Sequence, residues 1–135
     1  MLVQLHGFCD SSELAYCAVI YIRKQTSSGV NVMLVTSKTK VAPLKKLSIP
    51  RLELLSCLLL SELVASVSTS LREIFNEMSI TCWNDNASAI GWIKGVSKEW
   101  KQWEQNRVTK IRESVDPKNW RHVPGSDNPA DIWYM

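Results

Sequence analysis

The chain has 135 residues, enough for a single domain with a proper apolar core. Hydrophobic residues make up 45% and charged residues 21%, which excludes a disordered chain, and Lys+Arg 16 against Asp+Glu 13 leaves a net charge of +3. That balance is compatible with a polyanionic partner without requiring one. The longest unbroken apolar run is far shorter than the roughly 18 residues of a membrane span, and the N-terminus lacks the charged and small-residue signals of a secretory leader. The expectation is therefore a domain that neither spans a membrane nor is secreted.

In chain order, residues 2–9 read as a strand running into Asp10, and Asp10-Ser-Ser-Glu13 reads as a turn. Residues 15–23, rich in β-branched and aromatic types, form a second strand. Thr26-Ser-Ser-Gly29 is a hairpin turn and Val30–Thr36 a third strand, giving an antiparallel meander. A basic loop with Lys38, Lys40, Lys45 and Lys46 around Pro43 then leads to Pro50, which suits the first turn of a helix. From Arg51 to about Ser68 the helical pattern is apolar nearly all round, as expected of a helix packed across a sheet. Glu53 interrupts it.

Residues 79–83 form a fourth strand ending at Asn84-Asp85-Asn86, followed by a short helix over Ala87–Lys94 with Gly95 as its stop. Lys98–Val115 is a third helix, with Trp100, Trp103, Val108, Ile111 and Val115 along one face, ended by Asp116-Pro117. Residues 120–123 form a last strand, and a short helix starts near Ala130-Asp131-Ile132. The order βββ-α-β-α-α-β-(α) describes an α/β protein, a mixed sheet with helices on its faces.

Four cysteines (Cys9, Cys17, Cys57, Cys82) sit in apolar stretches without C-x-x-C spacing, and neither His6 nor His122 lies at ligand spacing from them. They read as buried, reduced thiols, with no zinc site. Five of the six tryptophans (Trp83, Trp92, Trp100, Trp103 and Trp120) lie on apolar faces and read as core, whereas Trp133 has no clear role.

The carboxylates carry the chemistry. Asp10 ends the first strand, Asp85 ends the fourth, Glu53 opens an apolar helix, and Asp131 lies near the C-terminus. In open α/β sheets, ligands bind where the carboxyl ends of central strands converge. If the first and fourth strands are parallel neighbours, Asp10 and Asp85 lie side by side. Clustered carboxylates cannot all ionise unaided, and an all-oxygen set suits Mg²⁺ or Mn²⁺. The competing reading makes Asp10 and Asp85 turn and cap residues, and Glu53 a first-turn acid favoured by the helix dipole.

The segments His6-Gly-Phe-Cys-Asp-Ser-Ser, Val41-Ala-Pro-Leu, Ser48-Ile-Pro-Arg-Leu-Glu-Leu-Leu, Trp83-Asn-Asp-Asn, His122-Val-Pro-Gly and Asn128-Pro-Ala-Asp131 together resemble the Pao/Bel family of LTR retrotransposon polyproteins. Specifically, they resemble the ribonuclease H-like region that follows the reverse transcriptase. The same family carries the label Pao retrotransposon aspartic peptidase. The resemblance implies a ribonuclease H-like fold, a five-stranded mixed sheet whose first three strands are antiparallel, flanked by helices. It also implies that Asp10, Glu53, Asp85 and Asp131 form the acidic tetrad, catalytic and metal-binding at once. Residues 1–135 would be one domain, a fragment of a larger polyprotein shortened at its C-terminus, since the family continues past Asn-Pro-Ala-Asp. No counterpart is evident for the mobile-loop histidine of some cellular ribonucleases H; His122 belongs to the last strand instead.

The function so implied is hydrolysis of the RNA strand of RNA–DNA hybrids during reverse transcription. Two ions, Mg²⁺ or Mn²⁺, about 4 Å apart would activate water and stabilise the leaving oxygen. The expected partners are the hybrid and the reverse transcriptase domain of the same polyprotein, with no small-molecule cofactor and no membrane. The setting would be cytoplasmic, within virus-like particles. Nucleic-acid contacts are expected from Ser11, Ser12, Lys38, Lys40, Lys45, Arg51 and Asn86, with Lys98, Lys101, Arg107, Lys110 and Arg112 of the third helix as a second candidate surface. Two rivals are a non-catalytic or degenerate nucleic-acid-binding domain and an aspartic peptidase. The peptidase is disfavoured because Asp10-Ser-Ser lacks the glycine of the Asp-Ser/Thr-Gly loop and no second such loop exists.

Overall fold

The protein is described here from a computed structural model covering residues 1–95 and 101–132. Its sheet, in the order β3-β2-β1-β4-β5, consists of β1 (Leu2–Ser11), β2 (Ala15–Thr26), β3 (Gly29–Val41), β4 (Ser79–Asn84) and β5 (Trp120–His122). The first three strands are antiparallel, whereas β4 runs parallel to β1 and β5 parallel to β4. The helices are α1 (Ile49–Leu71), α2 (Ala87–Lys94) and α3 (Gln102–Ser114). This is the mixed sheet flanked by helices that the sequence indicates.

Strand alternation sorts the core. Val3, Leu5 and Cys9 of β1, with Ala18, Ile20 and Ile22 of β2, pack on one side with Leu54, Leu60 and Val64 of α1. Ile90 and Ile93 of α2, Val108 and Ile111 of α3, and Trp120 complete that core. The opposite face carries a smaller cluster of Cys17, Val19 and Ala130, with Phe8 and Tyr21 against it. Helix α1 crosses the sheet at short range because Gly7 has no side chain: a Cβ there would stand 2.7 Å from Leu60 Cδ1. By length and composition alone α1 would also pass for a membrane-crossing helix, as core helices often do. Here Leu54, Cys57, Leu60 and Val64 are buried against the strands.

Boundaries follow local chemistry. Ser48 caps α1 by accepting from Arg51 N, and Pro50 occupies its first turn. Asn86 caps α2, and Gly95 ends it in the left-handed region (φ 77°). Several expectations need correction. β3 runs on to Val41, so Lys38 and Lys40 are strand residues, not loop residues; an edge strand with solvent on its free side tolerates lysine. Glu53 lies in the second turn of α1 and is buried, which removes its reading as a dipole-stabilised first-turn acid. α1 is longer than expected at both ends, and β5 stops at His122. Asp131 sits in a 3-10 turn, Pro129–Ile132, instead of an α-helix.

Helix α3 is described from Gln102, with Lys101 as its N-cap; the expected start at Lys98, with Trp100, lies outside the described residues, as does Trp133. All four cysteines are free and buried. Of the tryptophans, Trp120 is fully buried, whereas Trp83, Trp92 and Trp103 are half-buried at the margins of the structure.

Leu60→Ala, which opens a cavity where α1 meets Gly7, should cost about 2–5 kcal/mol in urea unfolding without changing the fold seen by circular dichroism. A loss under ~1 kcal/mol would contradict the close α1–β1 packing.

Candidate metal centre

Parallel pairing of β1 with β4, in register from Gln4↔Ser79 to Phe8↔Trp83, brings the carboxyl ends of these two central strands together. Asp10 follows on β1 and Asp85 just past β4, while α1 delivers Glu53 from above. The three offer carboxylate oxygens that all lie within 4.8 Å of one another. Asp10 and Glu53 are buried, and Asp85 is half-buried. Ser11 Oγ donates to Glu53 Oε1 at 2.6 Å, and Ser11 N donates to Asp10 Oδ1 at 2.9 Å.

Burial, reinforced by a hydrogen bond with Asp85, pushes the Glu53 carboxyl up to about 10, against the pull of the Ser11 hydroxyl. A buried thiol beside the cluster reports the same field. Cys17 is raised to about 12, first by burial, then by the charge of Asp10, with Asp131 a smaller contributor. Crowded, buried, all-oxygen donors are the set that hard divalent cations such as Mg²⁺ or Mn²⁺ satisfy, so the residues fit the metal that the sequence implies.

Asp131 lies outside that mutual 4.8 Å spacing. It is exposed on its 3-10 turn, although that turn docks beside β1 and β2: Cys17 Sγ donates to Ala130 O at 3.0 Å. Among the described residues, Asp10, Glu53 and Asp85 form the mutually close set. Two neighbours of Asp85 escaped the sequence reading. His122, an exposed β5 residue, places Nε2 3.0 Å from Asp85 O. Gly125 faces the Asp85 carboxylate, where an added Cβ would come within 3.3 Å of Oδ2. Both lie in the quoted His122-Val-Pro-Gly segment, but nothing local reveals contact with a residue about forty positions earlier. Beneath the trio, Ser56 Oγ donates to Glu53 O at 2.6 Å.

The expected nucleic-acid contacts divide. Lys45 lines an open groove of about 840 Å³ beside the start of α1, with Lys46, Ser48, Ser88, Trp92 and Lys101. Arg51 borders the same groove, but its Nε donates to Glu104 Oε1 at 2.6 Å and its guanidinium lies 4.9 Å from the Trp103 ring centre. Lys38 and Lys40 are exposed on β3 and do not line the groove. Ser12 stabilises its own turn, accepting from Leu14 N and Ala15 N, and Asn86 caps α2 by accepting from Ala89 N. On α3, Arg107 stacks on Trp103 at 4.1 Å and Arg112 donates to Ile93 O, whereas Lys110 is exposed.

The mixed sheet with its flanking helices is shared with solved ribonucleases H. The ribonuclease H domain of rv2228c from Mycobacterium tuberculosis superposes with a TM-score of 0.66 at 10% identity, covering 93% of this chain and 86% of that one. LC11-RNase H1, isolated from compost, gives 0.62 at 13% identity, covering 96% and 90%. RNase H1 from Halobacterium salinarum gives 0.59 at 14%, covering 96% and 91%. No curated protein sequence gives a significant match. Fold and sequence family together define a ribonuclease H-type hydrolase. The chain belongs to the Pao retrotransposon-like RNaseH-like domain family, whose model matches residues 1–86 and so takes in Asp10, Glu53 and Asp85. An aspartic peptidase lobe is all-β, and this mixed α/β sheet does not supply one.

Burial lifts the Glu53 carboxyl from its ordinary 4.5 to about 10 in the folded protein. Between those values the folded state holds a proton that the unfolded chain has released, so stability falls as pH rises through this window. Glu53→Gln should stabilise the metal-free protein by about 1–2 kcal/mol at pH 8 and flatten that slope. Thermal melts from pH 5 to 9 check this, and a parallel slope in the variant would contradict it.

Proposed function

We propose that this domain is a divalent-cation-dependent endoribonuclease that cuts the RNA strand of RNA–DNA hybrids during reverse transcription of a Pao/Bel-type retroelement. The observation that carries the proposal is the Asp10–Glu53–Asp85 trio, gathered within 4.8 Å at the ends of the two central parallel strands. Asp10, Glu53 and Asp85 would hold the cation, with Asp131 as the fourth acid from its turn beside β1. Bound there, Mg²⁺ or Mn²⁺ ions, two in the full site, supply the charge that activates a water nucleophile and neutralises the departing 3′-oxygen.

The chain's own residues prepare that chemistry. Glu53 would hold the cation as a carboxylate, and Ser11, donating to Glu53 Oε1, orients it beside Asp10 and Asp85. Lys45, Lys46 and Lys101 along the groove neutralise backbone phosphates of the duplex, while Arg51 stays paired with Glu104 and braces the start of α1. Selection of the hybrid rests on duplex shape and 2′-hydroxyl contacts. LC11-RNase H1, of the same fold, has been crystallised with an RNA/DNA hybrid. Residues 1–135 act as one domain of a larger polyprotein beside its reverse transcriptase, in the cytoplasm and its virus-like particles.

A labelled RNA–DNA hybrid incubated with the protein and Mg²⁺ or Mn²⁺ should lose its RNA strand, whereas single-stranded RNA and duplex DNA stay intact. Asp85→Asn should cut at least about 100-fold more slowly. Folded wild type that cleaves no substrate would overturn the proposal and favour a non-catalytic nucleic-acid-binding domain, and an Asp85→Asn rate equal to wild type would overturn the assignment of the site.

A further inference from the structure

Pairing between β1 and β4 stops at Phe8↔Trp83, one residue short of the site, and the next carbonyl on β1, that of Cys9, takes its donors from side chains. Asn84 Nδ2 donates to Cys9 O at 3.2 Å, and Asn128 Nδ2 donates to the same oxygen at 3.0 Å. Both lone pairs of that carbonyl are thus engaged. Asn84 is fully buried and Asn128 is 4% exposed, so their amides are tolerated only because they are satisfied.

Each asparagine uses its other end to shape the turn that carries an acid. Asn84 Oδ1 accepts from Asn86 N at 2.9 Å, closing the turn around Asp85. Asn128 Oδ1 accepts from Ala130 N at 3.1 Å, closing the turn that leads to Asp131. The Cys9 carbonyl and the Asp10 nitrogen share one planar peptide, so holding that oxygen also sets where Asp10 begins. Three acid-bearing segments, far apart in sequence, therefore meet at one oxygen atom.

We infer that Asn84 and Asn128 are positioning residues, a paired amide clamp on the Cys9 carbonyl that sets the spacing of Asp10 from Asp85 and seats the C-terminal turn, and thereby sets the cation affinity of the site. Neither touches the cation. The inference rests on the metal reading above and deepens it. Outer partners that orient metal ligands commonly contribute 10–100-fold in affinity.

The test measures Mn²⁺ dissociation constants by isothermal titration calorimetry on folded wild type, Asn128→Ala, the milder Asn128→Ser, and Ile111→Val. The last lies in the α3 core and is a stability control. The clamp predicts 10–100-fold weaker Mn²⁺ binding in Asn128→Ala and a smaller loss in Asn128→Ser. Ile111→Val should melt earlier yet bind as wild type does. If Asn128→Ala does not fold, Asn128→Ser carries the test. Folded Asn128 variants that bind as wild type does overturn the clamp alone, as would an equal loss in Ile111→Val. A wild type that binds no Mn²⁺ overturns the metal reading and the clamp with it.

Discussion

Three carboxyl groups lie within 4.8 Å of one another, and burial above all, reinforced by the hydrogen bond to Asp85 and the nearby charge of Asp10, makes Glu53 keep its proton in the absence of a cation. The rest of the molecule can be understood as the structure needed to hold that arrangement. Two acids come from the ends of adjacent parallel strands, and the third from a helix laid across them. A rigid apolar core fixes all three supports. The approach of α1 to β1 at Gly7, with Leu60 filling the space, sets the height from which Glu53 reaches down. A site of this kind is a cost to folding that its ligand offsets, because any species bound only by the native state stabilises it.

The polar framework around the trio has a division of labour. Close in, Ser11 and the Asp85 hydrogen bond orient Glu53. One layer below, buried asparagine amides replace the strand ladder where β1 and β4 diverge. Farther out, the Arg51–Glu104 pair, with the guanidiniums of Arg51 and Arg107 both over the Trp103 ring, ties α3 to the turn of α1 that precedes Glu53. Glu104 is buried with one oxygen unpartnered, so this pair is more a device for registering α3 on α1 than a source of net stability.

Much of this was legible in the sequence because its signals are local. β-branched and aromatic residues marked β2, and an apolar helical run marked α1. Asn86 and Gly95 bracketed α2 at both ends because a cap and a left-handed glycine are short-range chemistry. Asp10, Glu53 and Asp85 were legible as a set because two ended strands and one broke an apolar helix. What was not legible depended on distant partners. Lys38 and Lys40 look like loop residues because an edge strand places few demands on composition. Arg51 looks free because its partner Glu104 lies 53 positions away. Asn84 and Asn128 stood inside quoted motifs, yet their shared acceptor is 75 and 119 residues distant. The seat of Asp131 is set by where a short turn docks beside β1 and β2, which no periodicity encodes.

The central claim, that a cation replaces a proton among these carboxylates, is tested most directly by counting protons. Mn²⁺ titrated into the protein at pH 7 in two buffers of different ionisation enthalpy gives the number of protons released on binding. Release of about one proton per chain in wild type, and none in Glu53→Gln, is the predicted result. Binding without proton release, or no binding by folded protein, would contradict it.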